Sequence, residues 1–399
     1  MARPTALWVG GTSALARTYF DEVHSTSSLR IIIAAPSLPA WPLPVDVVFV
    51  KLDLFSEESV GSLWQRLPHA TDVLILGVRL SLVWAGDRQS ALATHLRHLI
   101  DGSAKNGCRA VLHISSVAVA DHVVAQHNVN ESMPLPDADA YHSDYDLFKR
   151  RSEDMVDAGC TDEVGRGGVM EWTHLRISGI FSNDPACIQC TAVRNQRWVS
   201  CYSRTCIDFN SSANVSHALA LLAERLASAA RRPPKVSCQP SVETRPKRVY
   251  FYTRSTAEPV PYGSLVADYR AAHGIWYGVW LPAALYGAFV KFARAICDAI
   301  PLGVARSIAY LLAVSVADHT FDNSRFRADF PELGAREESV RDAFARIERR
   351  QAEARAQMRA GPQPVGVGEH ILQAAARLAI LILFVGMALT RLGVLRFVA

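Results

Sequence analysis

The segment Tyr145-Asp146-Leu147-Phe148-Lys149 carries the residue pair with the clearest chemistry. On a helix, residues four apart lie on one face, so the Tyr145 phenol and the Lys149 ammonium can converge on one point. Free tyrosine has a pKa of about 10 and is a poor base at neutral pH. A nearby lysine charge lowers that pKa because it favours the phenolate. The spacing therefore predicts a tyrosine general acid/base; the alternative is a surface Tyr–Lys pair without a chemical role.

A glycine turn near the N-terminus is the second feature, in the run Val9-Gly10-Gly11-Thr12-Ser13-Ala14-Leu15-Ala16. A glycine turn between a strand and a helix lets the backbone approach a pyrophosphate, which the helix N-terminus attracts. Two positions expected to be glycine are Ala14 and Ala16, so a tight turn without a ligand is the alternative. Asp53 follows the third apolar run, where such a sheet reaches an adenine. Its alternative role is that of a charge at a helix N-terminus.

Ser115 and Ser116 precede the Tyr–Lys pair, at the end of the apolar run Ala110–Ile114. A serine at a strand end can hydrogen-bond a reacting oxygen while a tyrosine moves its proton. The strand-end serine, the helical tyrosine and lysine, and the N-terminal glycine turn form a consistent set. Together they predict a dehydrogenase-type site.

The first half of the chain alternates short apolar runs with helical segments. The predicted strands are Ala6–Val9, Arg30–Ala35, Val47–Val50, Val73–Leu76, Ala110–Ile114 and Thr173–Ile177, and the helices include Ala14–His24, Ser56–Leu67 and Arg88–Asn106. This alternation favours an α/β fold with a doubly wound parallel sheet covered on both faces. Such a sheet binds its ligand at the carboxyl ends of its strands.

The pattern loosens after Phe181, which leads to a division of the chain into four parts. Residues 1–181 are predicted to form the dinucleotide-binding domain with the catalytic residues, and 182–360 a smaller substrate-binding region from which 206–222 return to the core. A linker, 361–369, then precedes an apolar tail, 370–399. Three further elements are predicted: a helix at Val215–Ala230, a strand at Val249–Thr253, and a helix at Arg336–Arg359 with Val340, Phe344 and Ile347 on one face.

Composition restricts the function classes. The chain has 399 residues, half of them hydrophobic, and a net charge of only +4, with no concentrated basic face that would indicate a nucleic-acid binder. Among its eight cysteines, four cluster at a spacing that zinc could use, namely Cys187, Cys190, Cys201 and Cys206. We expect no metal, and free thiols in a reduced chain. The apolar N-terminal run Ala6–Gly11 is too short for a signal-peptide core, so the catalytic part is expected to face the cytosol.

From Leu7 to about Ile347, the sequence resembles the extended short-chain dehydrogenases, in particular the 3β-hydroxysteroid and sterol-4α-carboxylate 3-dehydrogenase group. The segments that carry the resemblance are Leu112–Val119, Tyr145 with Lys149 and Glu153, Leu175–Phe181, Asp208-Phe209, Asn214–Ala218, Tyr250–Tyr262 and Phe321–Arg325. The resemblance implies a catalytic set of Ser116, Tyr145 and Lys149. It also implies a cofactor site formed by Gly10, Gly11, Thr12, Ser13, Ala14, Leu15, Asp53, Leu54, Tyr145, Lys149, Ile177 and Ser178.

Several positions depart from the family pattern. Ala14 places a methyl where glycine is usual, Leu76-Gly77-Val78 replaces His-Leu-Ala, and Phe148 replaces a small residue. Ala34-Ala35-Pro36-Ser37 carries neither an acid for a ribose 2′-hydroxyl nor an arginine for a 2′-phosphate, so NAD and NADP both stay open. Competing functions are reduction of another hydrophobic ketone, such as a flavonoid, and a non-catalytic nucleotide-binding subunit of a membrane assembly.

Two apolar segments suggest a membrane surface, in keeping with the sterol-like substrate that the resemblance implies. Leu378–Thr390 is uncharged and is extended by Ile371–Ala376, although a span needs about twenty residues and Arg377 interrupts it. Ile275–Val290 is also uncharged and carries Pro282. We predict a C-terminal anchor in the endoplasmic reticulum membrane. The alternative is that both segments pack on the protein or in a homodimer interface.

Overall fold

The computed structural model describes residues 3–78, 87–120, 125–138, 140–141, 143–165, 170–182, 187, 190, 193, 199–200, 205–231, 248–254, 259–273, 275, 279–280, 288, 290–292, 295 and 317–359. The chain divides into two compact units, Met1–Arg349 and Arg350–Ala399. In the second unit, the described residues are 350–359, which are helical. The predicted boundaries at 181/182 and at 360/361 remain predictions.

Thirteen strands are present in the described residues: β1 (Thr5–Val9), β2 (Arg30–Ala35), β3 (Val48–Lys51), β4 (Val73–Leu76), β5 (Ala110–Ser116), β6 (Gln126–Val129), β7 (Glu171–Ile177), β8 (Gly179–Phe181), β9 (Val199–Ser200), β10 (Phe209–Ser211), β11 (Val249–Tyr252), β12 (Val279–Trp280) and β13 (His319–Phe321). Seven form the central sheet in the order β11-β7-β5-β4-β1-β2-β3, and every pair is parallel. The order reverses between β1 and β4. The predicted doubly wound parallel sheet is therefore confirmed.

The α-helices of the described residues are α1 (Ala14–Glu22), α2 (Glu57–Gly61), α3 (Asp87–Lys105), α4 (Asp144–Gly165), α5 (Ser212–Arg231), α6 (Tyr262–Ala272), α7 (Ser324–Asp329) and α8 (Val340–Arg359). One face of the sheet packs against α1 and α5, and the other against α2, α3 and α4. Each face buries a continuous layer of Val, Ile, Leu and aromatic side chains, as expected for parallel strands covered on both sides. These two layers are the main cores of the molecule.

Two predicted helices differ from those observed. The segment Ser56–Leu67 is not one helix: α2 ends at Gly61, and a short 3₁₀ helix follows at Leu63–Arg66. The Ser62 hydroxyl donates to the Glu58 carbonyl at 2.8 Å, a local bond that competes with helix continuation. The helix expected from Arg336 begins instead at Val340, after Ser339 accepts a hydrogen bond from the Asp342 N–H at 3.1 Å.

A third apolar cluster lies outside the central sheet. It joins Phe181 of β8, the α6 residues Tyr262 and Leu265, and the predicted face of α8, whose residues Val340, Phe344 and Ile347 are all buried. In the part of the chain that the structure describes, no helix has the length and apolarity needed to cross a membrane. The predicted linker and tail, and most of Ile275–Val290, lie outside the described residues.

Candidate active site

The turn after β1 requires glycine. Gly10 has φ of +82°, a left-handed conformation that side-chain-bearing residues rarely adopt, and its N–H donates to the Ala34 carbonyl at 2.9 Å. A Cβ at Gly10 would lie 2.6 Å from the carbonyl oxygen of Gly77, which follows β4. The turn after β1 therefore contacts the segment after β4, at the point where the strand order reverses. Doubly wound sheets bind ligands in this crevice.

Helix α1 begins immediately after this turn. Thr12 lies in the turn, and the Ser13 side chain caps the helix by accepting a hydrogen bond from the Ala16 N–H at 3.3 Å. Ala14 is the first helical residue, and Leu15 is buried in the core. Gly11 is also packed tightly, since a Cβ there would lie 3.0 Å from Ile33. The first turn of a helix leaves N–H groups without intrahelical partners, which favours an anion at this point.

Packing explains why Leu76-Gly77-Val78 departs from the family pattern. Trp8 of β1 is fully buried, and a Cβ on Gly77 would lie 2.9 Å from the Trp8 indole nitrogen. The indole therefore occupies space that a larger residue at position 77 would need. The large side chain on β1 and the glycine after β4 are complementary.

The two serines at the end of β5 have different environments. Ser115 is buried, and its hydroxyl donates to the Glu153 carboxylate at 2.5 Å. Ser116 is the last residue of the strand, and its Oγ accepts a hydrogen bond from the Ala118 N–H at 3.2 Å. Among the described residues, no acceptor takes the Ser116 hydroxyl hydrogen, so that hydrogen is available to a ligand oxygen. This difference favours Ser116 as the functional serine.

Tyr145 and Lys149 lie on α4, which packs against β5 and the 3₁₀ turn Val117–Val119. Tyr145 is in the first turn and is half-buried. Lys149 is buried, and its Nζ donates to the Ile114 carbonyl at 2.9 Å and the Val78 carbonyl at 3.2 Å. These acceptors belong to β5 and to the segment after β4, so the lysine side chain ties α4 to the carboxyl edge of the sheet.

The remaining predicted cofactor residues lie at the same edge. Asp53 follows β3 and is exposed, and its carboxylate accepts the Phe55 N–H at 2.9 Å, while the carbonyl of its neighbour Leu54 contacts His95 Nδ1 at 2.5 Å. Ile177 ends β7 and is half-buried. The next residue, Ser178, donates its hydroxyl to the carbonyl of Thr253, after β11, at 2.6 Å. The structure thus places every predicted site residue at or just beyond a carboxyl strand end, on α1, or on α4.

A buried ion pair beneath the site was not predicted as a pair. Glu153 of α4 and Arg176 of β7 are 1% and 4% exposed, and the guanidinium donates to both carboxylate oxygens, at 3.0 and 2.7 Å. Burial acts to raise the pKa of Glu153, but the hydrogen bonds and charge of Arg176 outweigh it, so the pKa is lowered. Glu153 is therefore ionised and holds α4 against β5 and β7.

A second buried pair lies after β11. Asp208 and Arg254 are 2% and 7% exposed, and one guanidinium nitrogen of Arg254 lies 2.9 Å from each Asp208 carboxylate oxygen. The same carboxylate accepts the Thr253 hydroxyl at 3.0 Å. Burial is the main reason that the pKa of Asp208 is raised. This pair fixes the chain just after the last strand of the sheet.

The cysteine cluster contains free thiols. Cys187 and Cys190 are buried in the third apolar cluster, whereas Cys201 lies outside the described residues. A hydrogen bond from the Cys190 thiol lowers the pKa of Cys187 to about 6. Within the described ranges, no group of three or more His, Cys, Asp or Glu side chains converges as a metal site would.

The assembled edge can bind an anion at the N-terminus of α1, and it carries a serine hydroxyl at the end of β5 and a tyrosine in the first turn of α4. No protein-family model matches the sequence, and no curated protein matches it. Solved structures match in fold at low identity. The terminal R domain from the myxalamid PKS-NRPS biosynthetic pathway has a TM-score of 0.63 at 17% identity, covering 89% of this chain and 92% of that chain.

Two further structures show the same fold. The enzyme WbmG of Bordetella bronchiseptica, in complex with NAD, has a TM-score of 0.58 at 12% identity and covers 88% of this chain and 94% of that chain. A short-chain dehydrogenase/reductase superfamily protein from Agrobacterium tumefaciens, with bound NAD, has a TM-score of 0.54 at 15% identity, covering 88% and 97%. The fold expected from the resemblance is therefore confirmed.

Proposed function

We propose that this chain is an NAD(P)-dependent oxidoreductase, a short-chain dehydrogenase of the extended kind that acts on a CH–OH group. The observation that carries the proposal is the meeting of three features at one sheet edge. These are the glycine turn at Gly10, the serine at the end of β5, and the helix bearing Tyr145 and Lys149. Structures with this fold that hold NAD support the same cofactor class for this chain.

The residues at the turn fit a dinucleotide. Gly10 lets the turn after β1 approach the segment after β4, because a Cβ there would lie 2.6 Å from the Gly77 carbonyl oxygen. The two turns therefore meet at the point where the strand order reverses, where such sheets bind a dinucleotide. The N-terminus of α1, capped by Ser13, favours the pyrophosphate charge. Asp53 and Leu54 would border the adenine, and Ile177 and Ser178 the nicotinamide end. When bound, the nicotinamide supplies or accepts the hydride, chemistry that belongs to the cofactor.

The side chains of the protein supply the proton chemistry. In the oxidation direction, Tyr145 as phenolate takes the proton from the substrate hydroxyl while the C–H bond of that carbon breaks with loss of a hydride. Ser116 donates its hydroxyl hydrogen to the same substrate oxygen and orients it. The Lys149 ammonium favours the phenolate form of Tyr145 and would hold the nicotinamide ribose. In the reduction direction, Tyr145 returns the proton to the carbonyl oxygen.

The substrate part of the proposal is a sterol-like molecule with a 3β-hydroxyl or 3-keto group, and it rests on the sequence resemblance. If the substrate carries a 4-carboxylate, oxidation at C3 gives a β-keto acid, which loses carbon dioxide readily. A hydrophobic substrate of this kind agrees with a membrane surface, which is proposed here from the apolar stretches 275–290 and 370–399. If the full chain remains soluble at high salt without detergent, the membrane part of the proposal is wrong.

The test is a dehydrogenase assay with the full chain in mild detergent at alkaline pH. Formation of NADH or NADPH is followed with 3β-hydroxysterols that carry or lack a 4-carboxylate. We expect turnover with one nucleotide and its loss, by at least about a hundredfold, in Tyr145→Phe, because general acid–base catalysis contributes about 10²–10⁴-fold. Tyr19→Phe is a matched control, because Tyr19 is fully buried in the core and is not one of the predicted site residues.

The outcomes separate the candidate functions. Turnover of a flavonoid or another hydrophobic ketone, but of no sterol, would retain the oxidoreductase and replace the substrate. Nucleotide binding without turnover of any of these compounds would favour the non-catalytic subunit. Turnover that persists in Tyr145→Phe would contradict the proposed mechanism.

A further inference from the structure

A chain of four side chains connects the backbone of Lys149 with the protein surface. The Ser152 Oγ lies 2.8 Å from the Lys149 carbonyl oxygen and 3.3 Å from Nε2 of His113. The Nδ1 atoms of His113 and His174 are 3.1 Å apart, and His174 Nε2 lies 3.1 Å from a carboxylate oxygen of Asp157. The first three side chains are at most 4% exposed, whereas the Asp157 side chain is 50% exposed.

The location of one hydrogen follows from the Asp157 carboxylate. Burial opposes its ionisation, but the hydrogen bonds and charge of His174 and the Trp172 indole N–H outweigh that effect and lower the pKa of Asp157. An ionised carboxylate only accepts hydrogen bonds. Nε2 of His174 therefore carries a hydrogen, whatever the charge of the ring.

The contact between the two rings holds a single hydrogen. A hydrogen bond between two Nδ1 atoms needs one donor and one acceptor, so only one of the two rings carries a hydrogen there. Burial, followed by the charges of His174, Lys149 and Arg176, lowers the pKa of His113 well below its usual range. His113 is therefore neutral and has one N–H, on Nδ1 or on Nε2.

These constraints leave two arrangements. If His174 is neutral, its Nδ1 accepts, His113 donates from Nδ1, and the bare Nε2 of His113 accepts the Ser152 hydroxyl. If His174 is a cation, its Nδ1–H donates to the bare Nδ1 of His113. His113 then carries its hydrogen on Nε2 and donates it to the Ser152 Oγ. The single Ser152 hydrogen then goes to the Lys149 carbonyl, the shorter of its two contacts.

We propose that the proton on His174 sets the tautomer of His113 and, through it, the direction of the Ser152 hydroxyl at Lys149. A serine hydroxyl that bonds back to a carbonyl in the preceding turn bends a helix slightly. The switch therefore adjusts the turn of α4 that carries Lys149. His113, Ser152 and His174 are positioning residues for that lysine, and the effect on catalysis rests on the proposed function.

Charged and titratable groups surround the His113 and His174 rings. The charged and titratable groups around the two rings are Lys149, Glu153, Asp154 and Asp157 of α4, Arg176 of β7, and Arg248, whose guanidinium stacks on Trp172 next to Asp157. Three of these groups are carboxylates, and two are permanently charged guanidiniums. When His174 gains a proton, the hydrogen-bond geometry turns the Ser152 hydroxyl from His113 towards the Lys149 carbonyl.

The coupling is tested by NMR of full-length protein labelled with ¹⁵N at histidine, from about pH 5 to about pH 9, the range in which histidine titrates. Signals are assigned with His113→Asn and His174→Gln. We expect His113 to change from the Nδ1–H to the Nε2–H tautomer over the same pH range in which His174 gains its proton. A His113 ring that keeps one tautomer throughout would overturn the proposal.

A kinetic experiment tests the consequence for Lys149. We expect the wild-type kcat to carry a pH-dependent component smaller than about tenfold, the most that one neutral hydrogen bond supplies. This component should disappear in Ser152→Ala and persist in the exposed control His69→Gln. A pH profile unchanged in Ser152→Ala would exclude the positioning role. Because the NMR result needs no turnover, an inactive protein would count against the proposed function and leave the tautomer coupling intact.

Discussion

Glu153→Gln tests the buried ion pair that fixes α4 to the sheet. The substitution keeps the shape of the side chain and removes its charge. In the native protein, Glu153 accepts two hydrogen bonds from Arg176 and one from Ser115. Both members of the ion pair are almost fully buried. The variant therefore leaves a buried guanidinium without a counter-charge.

The expected loss of unfolding free energy is large. Breaking a buried ion pair by removing one partner costs about 3–5 kcal/mol, because the remaining charge stays desolvated. The glutamine oxygen still accepts one hydrogen bond, so we expect a loss near the lower limit, about 3 kcal/mol. Replacing both partners, in Glu153→Leu/Arg176→Met, should cost less than Glu153→Gln alone, since no unpaired charge remains.

The pH dependence has a defined sign. The pKa of Glu153 is lower in the folded protein than in the unfolded chain. The pair therefore contributes its full stability above the unfolded pKa, and the contribution is lost as the pH falls through the folded pKa. The difference in stability between wild type and Glu153→Gln should narrow below about pH 4.3, the usual value for glutamate.

Urea unfolding, followed by circular dichroism, measures these differences. Asp21→Asn is the control, because Asp21 forms an ion pair with Arg17 in which both side chains are more than 40% exposed. Such exposed pairs contribute about 0–1 kcal/mol. If Glu153→Gln costs no more than Asp21→Asn, the ion pair does not hold α4 as described.

Three further predictions concern the turns and the thiols. Gly10→Ala should lose at least about 2 kcal/mol in urea unfolding, because its φ is strained for alanine and its Cβ would meet a carbonyl; the same stability as wild type would contradict the turn geometry. Gly77→Ala should lose about 1–3 kcal/mol by overpacking, and the loss in Trp8→Leu/Gly77→Ala should be smaller than the sum of the two single losses; additive losses would contradict the fit of glycine to indole. Cys187 and Cys108 are both buried, but the pKa of Cys187 is lowered to about 6 and that of Cys108 is raised to about 12, so iodoacetamide should alkylate Cys187 at a lower pH than Cys108; equal or reversed labelling of the two peptides in mass spectrometry would contradict these pKa shifts.

The strands were predicted well because their signal is local. Arg30–Ala35 and Val73–Leu76 coincide with β2 and β4, since both are continuous apolar runs with polar or turn residues on each side. β5 was predicted to end at Ile114 but continues to Ser116. Serine does not extend an apolar run, yet the backbone of Ser116 still pairs with β7, opposite Ile177.

The polar layer beneath the site could have been found only by comparing two strands. In β5, His113 and Ser115 occupy alternate positions, and so do His174 and Arg176 in β7. The register places His113 beside His174 and Ser115 beside Arg176. Polar residues spaced by two in otherwise apolar strands were a detectable signal. The partners of these polar residues could not be predicted, because strand register and the packing of α4 are tertiary properties.

The hydrogen bonds of the Lys149 side chain also depend on tertiary structure. Its side chain reaches carbonyls of Ile114 and Val78, which lie far from it in sequence and meet it only when β4, β5 and α4 are assembled. Helical spacing predicted that Lys149 and Tyr145 share a face. It could not reveal that the ammonium also fastens the helix to the sheet edge.

Equilibrium binding of NADH and NADPH to the full-length protein tests the central claim most directly, because it needs no knowledge of the substrate. Isothermal titration calorimetry in mild detergent should show saturable binding of at least one of the two nucleotides, with one site per chain. The affinity should fall in Gly10→Ala, because the extra methyl would collide with the Gly77 carbonyl and displace the turn. Absence of binding by either nucleotide to protein that circular dichroism shows to be folded would contradict the assignment of this sheet edge as a dinucleotide site.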